Sequence, residues 1–417
     1  MTQIENVKIT DAWLSDSRLQ LLFDILEENG GEARINGGAV RNSLMGKPVA
    51  DVDVATTLQP NDVIARLIKA GHKSIPTGID HGTVTAVIGG AAYEITTLRE
   101  DIETDGRHAI VRFGLDWEAD ANRRDLTING LYCDRNGTVF DFVNGYEDIK
   151  NGVVRFIGDA DTRIKEDALR ILRFFRFFAW YGSGRPYASG LKASSANKRL
   201  ITNLSMERVW AETRKMLSAP DPSRALLWMR TTGILGEILP ETVNWGIDAI
   251  PGLISCAGQY DWEVDYLLRL MAMIKPDAAV VKALATRLTL SNKETNRLSA
   301  WAQASAPSAD LPPDELGKLL YRHGREGMLD AIRLECVHLK GRELSGDTQA
   351  MVRLAEDAAN WHRPIFPVKG QDLIDMGMRP GKAVGERLSK LEDSWIESGF
   401  KLSKEELLSS SKHFRRC

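Results

Sequence analysis

Leu14, Leu19, Leu22, Ile25 and Leu26 recur mostly at three- and four-residue steps, which predicts an amphipathic helix within residues 1–30, stopped by Gly30-Gly31. Residues 33–155 change character. Short apolar runs at 49–55, 84–88, 93–98 and 139–143 alternate with Gly, Asp and Asn turns and read as strands. From about residue 160 the pattern is almost wholly helical, as at 168–180, 206–217, 262–273 and 385–396. The expected fold class is therefore α+β: a mixed head followed by a long all-α remainder. Gly/Ser/Pro-rich stretches at 181–190 and 303–313 read as loops, and Asp221-Pro222 as a further break. No internal repeat of fixed period is evident.

Composition narrows the function classes. A chain of 417 residues fits two to four domains, and 43% hydrophobic with 27% charged residues is an ordinary globular mix. The net charge of −3 excludes a protein that holds nucleic acid by bulk positive charge, so any such partner must meet a local basic patch. Cys133, Cys256, Cys336 and Cys417 are widely spaced and lack zinc-ligand spacing. No signal peptide or membrane span is expected, which points to a cytoplasmic protein.

The candidate chemistry begins at Gly37-Gly38, between a strand-like and a helix-like run. Glycines there let the backbone approach a ligand, and a helix start offers free N–H groups to phosphate, with Arg41 as a nearby cation. A plain tight turn is the alternative. Asp51-Val52-Asp53 lies in a strand-like run, where residues i and i+2 share a face. Two adjacent carboxylates are unfavourable without a cation, and oxygen-only ligands suit Mg²⁺ or Mn²⁺; a solvated polar strand face is the alternative. Glu94, in another strand, is a candidate third carboxylate or a strand-edge glutamate. His81-Gly82-Thr83 reads as a structural turn. Arg123, Arg124 and Asp125 are expected to open a helical run, where paired arginines oppose the helix dipole unless an anion is bound; a pair of solvated surface arginines is the alternative.

Taken together, Gly37-Gly38-Ala-Val-Arg41-Asn42, Asp51-Val-Asp53 and Arg123-Arg124-Asp125-Leu-Thr-Ile-Asn129 resemble the class II tRNA nucleotidyltransferase/poly(A) polymerase family. One departure is Asn42, where the family usually carries Asp. Lys165-Glu166-Asp167-Ala-Leu-Arg170 is similar to the family's EDxxR motif. Asp167 and Arg170 are i,i+3 and are expected to share one helix face. A carboxylate and a guanidinium so placed match the amino donor and ring-nitrogen acceptor of cytosine or adenine; the alternative is an ordinary ion pair. Arg173 and Arg176 extend that row, either toward RNA or as a solvated face. Ser205 is expected to cap the next helix, with Glu207 in its first turn.

The resemblance implies a nucleotidyltransferase head at 1–155, a helical neck at 156–219, a body at 220–310 and a tRNA-contacting tail at 311–417. It implies template-independent addition of CCA to the tRNA 3′ end from CTP and ATP, with Mg²⁺ on Asp51 and Asp53. Asp51, Asp53 and Glu94 are the candidate catalytic residues. Gly37, Gly38, Arg41, Arg124, Asp125, Asn129, Asp167, Arg170, Arg173 and Arg176 are the candidate nucleotide-binding residues. Segment 98–118, including Arg107, matches a loop that the family uses in switching from C to A addition. Pro367 to Leu388 resembles the family's tail, with Gly377 ending one helix and Pro380-Gly381-Lys382 turning into the next, and Lys412-His-Phe-Arg-Arg adds local charge. No His-Asp dipeptide occurs, which argues against an HD phosphohydrolase domain. Neither DNA nor a membrane is an expected partner. A poly(A) polymerase, a CC-adding enzyme and a non-catalytic RNA-binding protein are the alternatives.

Overall fold

A computed structural model describes residues 3–104, 109–243 and 245–410. The expected basic segment 412–416 and Arg107 lie outside the described residues. The chain divides into two compact units, Met1–Pro240 and Glu241–Cys417.

The first unit begins with a strand, β1 (Gln3–Lys8), followed by α1 (Ser17–Glu27), so the helix expected within 1–30 fills only the second half of that stretch. Its apolar stripe is as predicted: Leu19, Leu22, Phe23, Ile25 and Leu26 are buried. The strand escaped the pattern because it lies at a sheet edge and carries no buried apolar face. Then come β2 (Ala33–Asn36), α2 (Gly38–Leu44), β3 (Asp53–Thr56), α3 (Pro60–Lys69), β4 (Lys73–Gly78), β5 (Thr83–Ile88) and β6 (Ala91–Thr97). A hairpin of β7 (Arg99–Thr104) and β8 (Ala109–Phe113) follows. The head closes with α4 (Trp117–Asn122), β9 (Leu131–Cys133), β10 (Thr138–Asp141) and α5 (Gly145–Asn151).

Among the described residues eight strands form one sheet in the order β1-β10-β9-β2-β3-β6-β5-β4, in which only β3 and β6 run parallel. Leu98, Trp117, Ala121 and Tyr132 pack as one cluster against it, with Phe140 and Phe142. At Gly82 the backbone has φ +84°, and a Cβ would meet Phe113 at 2.7 Å, so this glycine is the structural turn the sequence implied.

The helical part of the unit comprises α6 (Ala160–Glu166), α7 (Leu169–Tyr181), α8 (Ala188–Ala196), α9 (Met206–Leu217), α10 (Ser223–Thr232) and α11 (Ile234–Ile238). The expected loop at 181–190 is shorter than predicted, because α8 already starts at Ala188. Phe174, Phe175 and Phe178 of α7 are almost wholly buried. Ser205 occupies the N-cap position of α9, with Glu207 in its first turn, but its side chain makes no capping hydrogen bond to the helix.

The second unit is helical throughout its described residues. Its elements are α12 (Ala249–Gln259), α13 (Tyr266–Met271), α14 (Ala278–Arg287), α15 (Asn292–Gln303), α16 (Pro313–His323), α17 (Arg325–Gly341), α18 (Ser345–Asn360), α19 (Gly370–Asp375), α20 (Lys382–Glu397) and α21 (Lys404–Ser410). The helix expected at 262–273 is only α13, because Asp265 caps it, accepting from the N–H groups of Leu267 and Leu268. Arg297 of α15 donates to Asp330 of α17 at 2.7–2.8 Å and to Asp265 at 2.5 Å, tying three helices. Gly377 follows α19 with φ +95°, and Gly381 precedes α20. Among the described residues no helix is long and apolar enough to cross a membrane.

Candidate active site

The site is laid out by the register of the sheet. Tyr132 on β9 pairs with Asn36 on β2, Asn36 with Asp53 on β3, and Asp53 with Glu94 on β6. Directly paired residues share a sheet face, so these four form one row across four strands. Gly37 follows at once with φ +63°, a conformation natural to glycine, and Gly38 starts α2.

Asp53 opens β3, but Asp51 does not lie in the strand. β2 turns away into α2 after Asn36, so the residues before Asp53 have no β2 partner. The i,i+2 argument therefore fails for Asp51, although the two carboxylates remain electrostatic neighbours. Partial burial pushes the Asp53 carboxyl above the usual carboxylate range, and the charges of Glu94 and Asp51 push it further. Arg124 acts in the opposite direction. This crowding is what a bound cation would relieve. Among the described residues no group of three or more His, Cys, Asp or Glu side chains is placed to hold a metal ion, so Glu94 does not complete a three-carboxylate set with Asp51 and Asp53. Two carboxylates with open positions suit Mg²⁺, which commonly binds one or two carboxylates together with waters and phosphate oxygens.

Arg123 and Arg124 correct a second expectation. Asp116 caps α4, accepting from the N–H groups of Glu118 and Ala119, so the helix starts at Trp117 and ends just before the arginines. They stand at a helix C-terminus, where the dipole favours cations, and they need no anion on that ground. Asp120, 1% exposed, accepts from both: Arg123 Nε at 2.9 Å and Arg124 Nη2 at 3.0 Å. Arg124 Nη1 donates to Asn36 Oδ1 at 3.0 Å and lies 3.8 Å from where a Cβ on Gly37 would be.

Four other predicted residues form one hydrogen-bonded chain. Arg173 Nε on α7 donates to Asp125 Oδ2 at 2.6 Å; Asn129 Nδ2 donates to Asp125 Oδ1 at 3.2 Å; Arg41 Nη1 donates to Asn129 Oδ1 at 2.6 Å. Arg41 is buried and also donates through Nη2 to Asn42 Oδ1 at 2.9 Å and to the Tyr181 hydroxyl at 2.8 Å. Asn42 in turn donates from Nδ2 to the Pro48 carbonyl at 2.9 Å, a bond that an aspartate could not make. Burial works to raise the Asp125 carboxyl, but the charge and hydrogen bond of Arg173, together with the Asn129 side chain and the Leu126 N–H, hold the group below its ordinary range. Helix α7 is thus fastened to the head at both ends, through Arg173 and Tyr181.

Asp167 and Arg170 do not share a continuous helix. Asp167 is extended (φ −152°, ψ 108°) at the end of α6, and its Oδ1 accepts from the Leu169 N–H at 3.0 Å. The helix breaks there because this side chain caps the start of α7. Asp167 Oδ2 is held by Arg208 Nη2 of α9 at 2.8 Å, while Arg170 Nη1 bonds Glu166 and the Arg163 carbonyl. Arg170 Nε and Nη2 take part in no hydrogen bond among the described residues. Arg176 is neither a solvated cation nor free: its Nε donates to the buried Glu212 of α9 at 2.5 Å. Asp120, Tyr132, Asn36, Tyr181, Arg208 and Glu212 were not anticipated. Only Asp120 had a sequence signal, standing three and four residues before the arginine pair.

Comparison with known proteins fits this layout. The poly A polymerase head domain family matches residues 33–155, and the family described as the probable RNA and SrmB- binding site of polymerase A matches 190–245. The mitochondrial CCA tRNA nucleotidyltransferase 1 of Danio rerio is 35% identical over 406 residues, covering 93% of this chain and 89% of that protein. The chain belongs to the CCA-adding tRNA nucleotidyltransferase family. Within this family, a CCA-adding enzyme of Lactobacillus delbrueckii subsp. bulgaricus is 30% identical, covering 92% of this chain and 94% of its own length. Among solved structures, the Bacillus stearothermophilus CCA-adding enzyme in complex with CTP superposes with a TM-score of 0.74 at 26% identity, covering 95% of this chain and 97% of that one. The α+β head with a helical remainder is the family's architecture.

Proposed function

We propose that this protein adds C, C and A to the 3′ end of tRNA, without a nucleic-acid template, from CTP and ATP. The observation that carries the reading is the alignment of Asp53 with Glu94 beside the Gly37-Gly38 turn, in a chain related over nearly its whole length to CCA-adding enzymes. Asp51 and Asp53 would hold Mg²⁺, with Glu94 beside them; the metal, when bound, activates the primer 3′-hydroxyl and neutralises triphosphate charge. Gly37 and Gly38 allow the phosphates to approach the backbone, and Arg124 offers its remaining N–H donors to them. Arg41, Asp125, Asn129 and Arg173 serve the nucleotide by fixing α7 against the head. Asp167 accepts from the amino group of cytosine or adenine, while Nε and Nη2 of Arg170 donate to the ring nitrogen. Uracil and guanine present the opposite polarity and are rejected.

We further assign 1–155 as catalytic head, 156–219 as neck, 220–310 as body and 311–417 as a tail reading the tRNA by shape and backbone contacts. A cytoplasmic location accords with the buried free thiols of Cys133, Cys256 and Cys336. Replacing Asp51 and Asp53 together by Ala tests the metal assignment. Incorporation should vanish while tRNA binding persists; unchanged incorporation refutes it.

A further inference from the structure

Arg124 does not reach Gly37 unaided. Asp120 Oδ2 accepts from its Nη2 at 3.0 Å and its Nε at 3.3 Å, and from the Tyr132 hydroxyl at 2.6 Å. The same hydroxyl accepts from Arg124 Nε at 3.1 Å. Tyr132 has no exposed surface and is held edge-on by Trp117 and Phe142, with ring centroids at 5.2 and 6.0 Å. Its position cannot drift, because β9 pairs it with Asn36, whose Oδ1 accepts from Arg124 Nη1.

Nε, one N–H of Nη2 and one of Nη1 are thus used, out of five N–H donors on a guanidinium. Among the described residues two donors remain without a partner, on a side chain 17% exposed, beside the Gly37 turn and near enough to Asp53 to influence its carboxyl. The single carboxylate of Asp120 faces two arginines. A positive charge therefore remains, where a plug serving only to fill space would be served by apolar groups.

We propose that Asp120 and Tyr132 are positioning residues for nucleotide binding: they clamp Arg124 so that its two remaining donors meet the triphosphate of either CTP or ATP. The proposal rests on the reading of Arg124 as a phosphate contact. Because the clamp acts on phosphate and not on the base, it raises affinity for both nucleotides by the same factor.

The test is steady-state kinetics of the full chain on tRNA lacking its terminal CCA, with thermal unfolding measured alongside. Tyr132→Phe keeps the ring and removes the hydroxyl, and Asp120→Asn keeps the shape and removes the charge. Each should raise KM for CTP and for ATP about tenfold, equally, with kcat within about twofold. A lowered Tm with unchanged KM in both variants would make the cluster a core plug only and overturn the proposal. Arg124→Lys separates the two levels. If it raises KM while Tyr132→Phe and Asp120→Asn do not, the clamp is refuted and the phosphate contact stands. If Arg124→Lys leaves KM unchanged, the phosphate contact fails, and the clamp with it.

Discussion

Replacing Arg176 by Met removes the partner of a buried carboxylate. Glu212 is 5% exposed, and Arg176 Nε reaches it at 2.5 Å, with the guanidinium 4.1 Å above the Phe177 ring. Breaking a buried pair from one side costs about 3–5 kcal/mol, since the remaining charge is stranded. Arg173 Nη1 stands 4.0 Å from the other oxygen of Glu212 and softens the loss, which places it near the lower end, about 3 kcal/mol. For a unit of this size that corresponds to a Tm lowered by roughly 6–12 °C. Glu212→Leu in the same background removes the stranded charge and should return stability to within about 1 kcal/mol of the parent. Urea unfolding of the two single variants and the double variant gives the coupling energy, expected to be about 2–3 kcal/mol. Additive losses would refute the pair. An unchanged Tm with a raised KM for tRNA would instead make Arg176 an RNA contact.

Asp53→Asn relieves the crowding with Asp51 and Glu94, so without divalent metal its Tm should rise above the parent's; the parent should gain Tm on adding Mg²⁺ and the variant should not. A metal-dependent gain in Asp53→Asn equal to the parent's would remove Asp53 from the metal site. For Asp120, burial works to raise the carboxyl, but Arg124 and Arg123 outweigh it and hold the group at about 2 against an ordinary 3.8. A depressed carboxylate contributes stability that is present above pH 4 and lost as pH falls toward 2, here about 2 kcal/mol. Acid unfolding of Asp120→Asn should lack that component; identical acid profiles would contradict it.

The local features of the site were largely legible in the sequence. The glycine turn, the acidic pair and the arginine pair each occupy a short stretch whose pattern carries its own physics. What was misread depended on where elements begin. Asp51 falls outside β3 because β2 leaves the sheet after Asn36, and the arginines end a helix because Asp116 starts it early. Asp167 breaks the helix it was expected to sit on by capping the next one. The partners that hold the site were not legible, because they come from far along the chain: Tyr181 meets Arg41 across 140 positions, and Asn36 meets Arg124 across 88. Such contacts follow from strand order and helix docking, which no local pattern encodes.

The central claim is tested most directly by supplying tRNA that lacks its terminal CCA, together with Mg²⁺ and each labelled nucleoside triphosphate in turn and in combination. Two cytidines from CTP, followed by one adenosine from ATP and then arrest, is the predicted result. A long adenosine tract, or arrest after two cytidines with both nucleotides present, would contradict it.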